Sequence, residues 1–240
     1  MIKKGVILAG GNGTRLLPAT RVTNKHLLPV FDRPMIFFPI ETLKSSGVRE
    51  ILIICGPDHA GDFAQLLGDG SEFDCSFTFK IQRQASGIAH GLALAENFAG
   101  GENLAVILGD NIFLQDFANE VQGFKSGARI FLKKVEDAQR FGVAVCDERN
   151  RVLRILEKPQ DPPSNFAVTG FYLFDNSVFK KIKQCQPSAR GELEITDVNN
   201  AFIAENAMTA SFVQSQWTDA GTHESFFRAA VVAREFLKES

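Results

Sequence analysis

The stretch Gly5-Val6-Ile7-Leu8-Ala9-Gly10-Gly11-Asn12-Gly13-Thr14-Arg15-Leu16-Leu17-Pro18, continued by Asn24-Lys25-His26-Leu27-Leu28-Pro29-Val30, decides how this chain is read. Val6 to Leu8 is a short apolar run and predicts a buried strand. The run stops at Gly10, Gly11 and Gly13. Residues without a Cβ let the backbone turn sharply, and their N–H groups can close around phosphate oxygens. Arg15 and Lys25 add two cations near the turn. The ligand expected there is a polyphosphate held by amides, arginine and lysine together. A dinucleotide fingerprint does not fit, because Leu16 stands where its last glycine belongs, and the chain has no Gly-Lys pair for a P-loop. The plain competitor is an ordinary strand–loop turn carrying two surface cations.

Working outward, the 240 residues suit one sizeable α/β domain or two small ones, long enough to bury a core without staples. The formal net charge is −2 and no basic block occurs, which argues against general nucleic-acid or membrane-surface binding but leaves room for a local phosphate site. Cys55, Cys75, Cys146 and Cys185 are scattered, with no C-x-x-C spacing, and read as free thiols in a reducing compartment. The histidines lack zinc-ligand spacing. Met1-Ile2-Lys3-Lys4 mimics the start of a signal peptide, but the apolar run after it is short and broken by glycines. No segment is long and apolar enough to span a bilayer. The expectation is a soluble, cytoplasmic protein. Its 22 Phe against one Tyr and one Trp are expected to fill an apolar core.

Val6 to Leu8, Ile51 to Cys55, Leu104 to Leu108 and Arg129 to Val135 predict buried strands, and the first three suit a parallel sheet covered on both faces. Helices are expected between them. Pro34 can start one that ends before Gly47, with Pro39 making its first half irregular. Ser86 can cap another, with Ile88, Leu92 and Ala95 on one face. Later, Val152 to Glu157 and Ala167 to Phe174 read as strands, and Asn176 to Gln184 and Leu193 to Asn206 as helices. Thr222 can cap a last helix with Phe226, Ala230, Ala233 and Leu237 on its inner stripe. This alternation predicts a layered α/β fold.

Four further segments carry chemistry. Leu104 to Leu108 runs into Gly109-Asp110-Asn111, and a carboxylate at a strand's carboxyl end can hold Mg²⁺ together with substrate phosphates. Asp219, in Trp217-Thr218-Asp219-Ala220-Gly221-Thr222-His223, could share that metal. Aspartates also favour turns and helix entries for purely structural reasons. Glu157-Lys158-Pro159 pairs an acceptor for sugar hydroxyls with a cation for a monophosphate; an exposed ion pair before a proline turn is the alternative. Gln82 offers paired donor and acceptor groups suited to a base edge, and Gly87 would let backbone approach that base. The alternative there is a polar loop.

Taken together, these segments resemble the sugar nucleotidyltransferases, and among them the glucose-1-phosphate thymidylyltransferases. The resemblance rests on Leu8-Ala9-Gly10-Gly11, Gly13-Thr14-Arg15-Leu16 with Pro18, and Lys25 with Leu27-Leu28-Pro29. It continues through Leu67-Gly68-Asp69-Gly70, Leu108-Gly109-Asp110-Asn111-Ile112-Phe113, Arg140-Phe141-Gly142-Val143, Glu157-Lys158-Pro159 and Ala167-Val168-Thr169-Gly170. Pro187-Ser188-Ala189-Arg190-Gly191-Glu192-Leu193-Glu194-Ile195-Thr196-Asp197 and Asp219-Ala220-Gly221-Thr222-His223 complete it. The ordered set spans nearly the whole chain.

The resemblance implies a three-layer, Rossmann-like α/β fold with a mixed, mostly parallel central sheet. It implies a single domain over 1–240, with the nucleotide bound mainly by 1–115 and the sugar phosphate mainly by 116–240. Leu8, Gly10, Gly11 and Gly13 would line the nucleotide, with Gln82 and Gly87 on the base. Arg15 and Lys25 would hold the triphosphate. Asp110 and Asp219 would ligate Mg²⁺, the implied cofactor, with Asn111 beside them at the sugar-phosphate end. Gly142, Glu157 and Val168 would contact the sugar, and Lys158 and Arg190 its phosphate. Arg15, Lys25, Asp110 and Asp219 would carry catalysis.

The implied reaction takes dTTP and glucose 1-phosphate to dTDP-glucose and pyrophosphate, as a step in deoxysugar or rhamnose supply for polysaccharide. A homo-oligomer is usual among such proteins. Two other readings stay open: a UTP-using (less readily a CTP-using) transferase, and a non-catalytic relative that binds nucleotide sugar and regulates a partner. His90 replaces an expected glutamine, Ala85 a usual proline and Ala220 a usual threonine. Longer members carry a helical C-terminal extension that helps form a regulatory nucleotide site; with the sequence ending at Ser240, that site is expected to be absent.

Overall fold

The computed structural model describes the backbone of residues 1–239 and the side chains of residues 1–235. The first half alternates β1 (Lys4–Ala9), a small ribbon of β2 (Pro29–Val30) and β3 (Arg33–Pro34), α1 (Phe37–Ser45), β4 (Glu50–Cys55), α2 (Ala60–Leu67), β5 (Ser76–Ile81), α3 (Ile88–Ala93), α4 (Glu96–Ala99) and β6 (Leu104–Leu108). The second half is β7 (Asn111–Phe113), α5 (Ala118–Gly123), β8 (Ala128–Lys134), β9 (Gly142–Cys146), β10 (Val152–Glu157), β11 (Phe166–Phe174), α6 (Val178–Gln184), α7 (Ile195–Ala204), β12 (Met208–Phe212), β13 (Trp217–Asp219) and α8 (His223–Glu239).

Nine strands form one sheet in the order β10-β9-β11-β6-β1-β4-β5, with β8 on the other side of β11 and β12 beyond it. The β6-β1-β4-β5 block is wholly parallel, as its continuous Val/Ile/Leu runs demand when both faces are covered. Only β10 and β11 run against the other seven strands, so the sheet is mixed and mostly parallel. Side-chain alternation splits β1 between two cores: Ile7 and Ala9 face α1, α2 and α5, whereas Val6 and Leu8 face α3, α6 and α7. Phenylalanine fills these layers as expected. Phe117, Phe131 and Phe171 are fully buried, with ring centroids 4.8–5.0 Å apart.

β11 divides the sheet. Phe171 to Phe174 pair with β6, Ala167 pairs with β9, and the register against β8 shifts between Val168 and Tyr172. A cleft opens at this irregularity, beside the carboxyl ends of β1 and β6. That is where open α/β sheets bind ligands.

Several local expectations change. Pro34 lies in β3, and α1 begins at Phe37, so Pro39 falls in the first turn, where a missing N–H costs nothing; the helix is regular. Gly87 (φ 101°), not Ser86, forms the N-cap of α3, while the Ser86 carbonyl accepts from Leu193 N at 2.9 Å. The same backbone link holds Leu193 out of α7, which starts at Ile195. Asp175 Oδ1 accepts from Ser177 N, and α6 accordingly starts at Val178. Thr222 does cap α8: Ser225 N donates to Thr222 Oγ1 and Ser225 Oγ accepts from Thr222 N, a reciprocal box. Of its inner stripe, Ala233 is fully buried and Phe226 and Ala230 partly so, while the Leu237 side chain lies outside the described residues. α2, β5 and β12 were not among the elements expected, although α2 buries a stripe of Phe63 and Leu67. The four cysteines are unpaired, and no described helix is long and apolar enough to cross a membrane.

Candidate functional site

The cleft has a volume of about 360 Å³ and gathers residues from Leu8 to Asp219. Gly10 and Gly11 leave β1 at its floor. Asp110 and Asn111 leave β6 and enter the ribbon β7–β13, in which Asn111 lies opposite Asp219. Ala220 N donates to the Asp110 carbonyl at 2.8 Å, which locks the two acidic segments side by side.

At the centre, Lys25 Nζ sits 2.5 Å from Asp110 Oδ2, and Asn111 Nδ2 donates to Asp110 Oδ1 at 2.9 Å. Asn111 cannot turn over. Its Oδ1 accepts from Trp217 Nε1 at 2.8 Å and from Gly170 N at 2.9 Å, and both groups are donors only. A Cβ on Gly170 would lie 2.6 Å from this carboxamide, so glycine is required there. Burial by itself would push the Asp110 carboxyl up. The Lys25 ammonium, His26 and the hydrogen bonds from Lys25 and Asn111 outweigh it and hold the group well below the usual carboxylate range. His26, buried behind this pair, is lowered to about 3 by burial and the neighbouring Lys25 charge, against a smaller pull from Asp110. Its Nδ1 lies 2.7 Å from Asn24 Oδ1, and with the ring neutral it donates there.

Asp219 has a different partner. Arg140 Nη2 donates to both its oxygens, at 3.0 and 2.8 Å, while Nη1 holds Asp137 at 2.8 Å. Burial, then the Asp110 charge, raise the Asp219 carboxyl, with Arg140 and Arg15 pulling the other way. The two carboxylates therefore sense each other across one space. Two such groups suit Mg²⁺, which takes one or two carboxylates and completes its shell from substrate phosphates and water. Among the described residues no cluster of three or more His, Cys, Asp or Glu forms a closed metal cage.

The opposite wall is a second charge network. Glu157, at the end of β10, accepts from Thr196 Oγ1 at 2.6 Å and Arg190 Nη2 at 3.1 Å, with Lys158 Nζ at 3.5 Å. Arg190 also reaches Glu194 at 2.8 Å. Gly142 faces this cluster, and its missing Cβ leaves space beside Thr196 and Glu157. At the third corner, the Gln82 amide lies between Gly10 and Gly91. Between these corners, Asn199 on α7 is buried with neither amide atom partnered.

Every residue given a binding or catalytic role from the sequence lines this cleft except Gly13. Gly13 instead takes a left-handed conformation (φ 62°) that starts a short 3₁₀ turn and shapes the loop carrying Arg15. Asn111 proves to be buried, its carboxamide largely engaged by protein groups. Sequence reasoning gave no role to His26, Arg140, Tyr172, Glu194, Thr196, Asn199 or Trp217. Arg140 and Trp217 lay inside quoted motifs, but nothing in their spacing marked them as partners of Asp219 and Asn111.

With this geometry established, comparison with known proteins is informative. A family model described as nucleotidyl transferase matches residues 4–235. A glucose-1-phosphate thymidylyltransferase of Neisseria meningitidis is 43% identical over 233 residues, covering 95% of this chain and 81% of the relative. A Neisseria gonorrhoeae protein of the same name is 44% identical over the same coverage. Among solved structures, a Bacillus anthracis protein solved as a candidate glucose-1-phosphate thymidylyltransferase, with sucrose bound, is 50% identical. It superposes with a TM-score of 0.92 over 97% of this chain and 95% of its own. A UDP-glucose pyrophosphorylase complexed with UDP-glucose is 25% identical, with a TM-score of 0.87 over 98% and 99% of the two chains. The ordered motifs, the divided sheet and these matches over nearly the full length agree: the chain belongs to the nucleotidyl transferase family.

Proposed function

We propose that this chain transfers a thymidylyl group from dTTP to glucose 1-phosphate, giving dTDP-glucose and pyrophosphate. The observation that carries the reading is one cleft with two kinds of wall. Arg15, Lys25, Asp110 and Asp219 stand on one side, and Glu157, Lys158 and Arg190 on the other. Relatives at 43–44% identity bear the name of this activity.

In this reading Leu8, Gly10, Gly11, Gln82 and Gly87 hold the nucleoside, and Arg15 and Lys25 hold the triphosphate. Lys158 and Arg190 hold the sugar phosphate, and Glu157, fixed by Thr196, accepts hydrogens from sugar hydroxyls beside Gly142 and Val168. A phosphate oxygen of the sugar phosphate attacks the α-phosphorus in line, and the bond to the pyrophosphate oxygen breaks. The nucleophile is already anionic, so no general base is needed; the protein positions groups and compensates charge. Asp110 and Asp219 would hold Mg²⁺, which when bound supplies Lewis-acid stabilisation of the phosphate oxygens. The division of labour is nucleotide on 1–115 and sugar phosphate on 116–240, with Asp219 returning to the nucleotide side. A reducing, cytoplasmic setting accords with four unpaired thiols.

A substrate matrix tests this directly: dTTP, UTP and CTP against several hexose 1-phosphates, with products identified by mass. The reading expects dTDP-glucose as the preferred product. A methyl group in an apolar pocket is worth only about 1–3 kcal/mol, so some UTP use is expected. Preferred UTP use would make the chain a uridylyltransferase, and no product from any pair would make it a binding relative.

A further inference from the structure

We propose that Arg140 is a positioning residue that guards Asp219, so that a divalent cation settles between Asp110 and Asp219 only in company with a nucleoside triphosphate. The inference rests on the reading of these two aspartates as the Mg²⁺ ligands.

Arg140 ends the short turn Ala138–Arg140 that leads into β9. Its guanidinium is fixed from three sides. Nη1 donates to Asp137 Oδ2 at 2.8 Å, Nη2 donates to both Asp219 oxygens, and the group lies over the Phe141 ring, 5.0 Å from its centroid. That ring packs 5.2 Å from the ring of Trp217, which shares β13 with Asp219. Arg140 and Asp219 both line the cleft, and the Asp219 side chain is 14% exposed. A second cation nearby behaves differently. Arg15 Nη2 and Asp219 Oδ2 would each lie 3.0 Å from a Cβ on Gly221, yet the two make no ion pair; Asp219 is held by Arg140.

Both carboxylates are thus neutralised by cations of the protein, Asp110 by Lys25 and Asp219 by Arg140. A cation entering alone meets no net negative charge, and at Asp219 it must share oxygens with a guanidinium that already donates to both. Such charges interact strongly in a partly buried site, where little water screens them. A triphosphate alters the balance. It brings negative charge of its own, gives Lys25 and Arg140 other acceptors, and supplies phosphate oxygens toward the shell that Mg²⁺ completes from substrate. Arg140 acts here through Asp219: it holds the carboxylate at the cleft and yields it when phosphate arrives.

The test uses Mn²⁺ as the probe, with no sugar phosphate present. Mn²⁺ on the protein is read by enhancement of water-proton relaxation, which Mn²⁺ on free dTTP gives only weakly. Without dTTP, Arg140→Met is expected to bind Mn²⁺ about tenfold or more tighter than the wild type, and Arg140→Lys to stay within about threefold of the wild type. Arg140→Met combined with Asp219→Asn is expected to lose the gain. Arg15→Met removes a neighbouring charge that holds no aspartate, and is expected to shift the affinity by less than about threefold. With dTTP, the wild type is expected to take up Mn²⁺ tightly, and the gap to Arg140→Met to close. Equal affinity of the wild type and the folded Arg140→Met without dTTP overturns the proposal. An equal gain in Arg15→Met, or a gain that survives Asp219→Asn, does the same. Should Arg140→Met not fold, Arg140→Gln, neutral but still able to donate to Asp219, carries the same comparison. If neither the wild type nor any variant takes up Mn²⁺, with or without dTTP, the metal reading fails and this inference with it. A wild type that transfers nucleotide and takes up Mn²⁺ alone as readily as Arg140→Met overturns the inference alone.

Discussion

Asp110 shows how one side chain is held ready by groups from four segments: Lys25 from the loop after β1, Asn111 from its own strand end, and Trp217 and Gly170 acting through Asn111. Asp110→Asn removes the charge that, in the proposed reaction, faces the reacting phosphates, while keeping the shape. Turnover is expected to fall by on the order of 10²-fold or more, with the thermal midpoint changed little, as read by pyrophosphate release and melting. His26 makes a separate prediction, on stability. Its pKa is lowered from 6.5 to about 3 in the fold, so the unfolded chain takes up the proton first as acid is added. The fold then loses stability as pH falls from about 6.5 toward 3, by up to about 1.4 kcal/mol per pH unit. Asp110, held low, adds its own loss only below its ordinary value of 3.8. His26→Gln is therefore expected to flatten the change in urea midpoint between pH 7 and about 4.5; an unchanged slope would assign the acid sensitivity elsewhere.

Elements meet here through backbone contacts that sequence patterns do not announce. Gly87 joins α3 to the segment before α7. Its φ is 101°, and an added Cβ would lie 2.4 Å from Leu193 O, a backbone atom with no room to retreat. Gly87→Ala should separate the two helices and widen the Gln82 corner. It is expected to weaken nucleotide binding in calorimetry far more than it slows turnover at saturation, and to lower the melting midpoint. The register shift of β11 works similarly. It frees Thr169 and Gly170 from pairing with β8, letting Thr169 bond Phe131 O at 2.9 Å and Gly170 reach Asn111. β6 was legible because its run is apolar and uninterrupted, and β10 because Val152, Leu153, Ile155 and Leu156 flank a single arginine. β5 and β12 were not, because at the sheet's margins they mix polar with apolar residues and bury only Phe77 fully.

Across the molecule, phenylalanines of the second half share one core with β1 and α1 of the first. Phe113 on the ribbon, Phe117 entering α5, Phe131 on β8 and Phe171 on β11 pack edge-on and stacked within 6.0 Å. Phe171 is fully buried at their centre, one residue from Gly170 and so from the Asn111 clamp. Phe171→Ala is expected to cost about 3–5 kcal/mol in chemical denaturation, as large-to-small changes in packed cores do. It should also lower activity in the protein that remains folded, because the cavity lies under the Asp110 support. Loss of stability with full specific activity would separate the core from the site.

The sequence on its own determined three strands of the parallel block, the glycine turn, and several of the charged residues that line the cleft, because apolar runs, glycines and cations act locally and leave a mark at fixed spacing. It did not determine who holds whom. That Arg140 grips Asp219, that Trp217 and Gly170 aim Asn111 at Asp110, and that His90 backs Gln82 are facts about residues 8 to 106 positions apart. Such pairings follow from strand order, register and the irregularity in β11, which are set by packing of the whole chain and have no local signature.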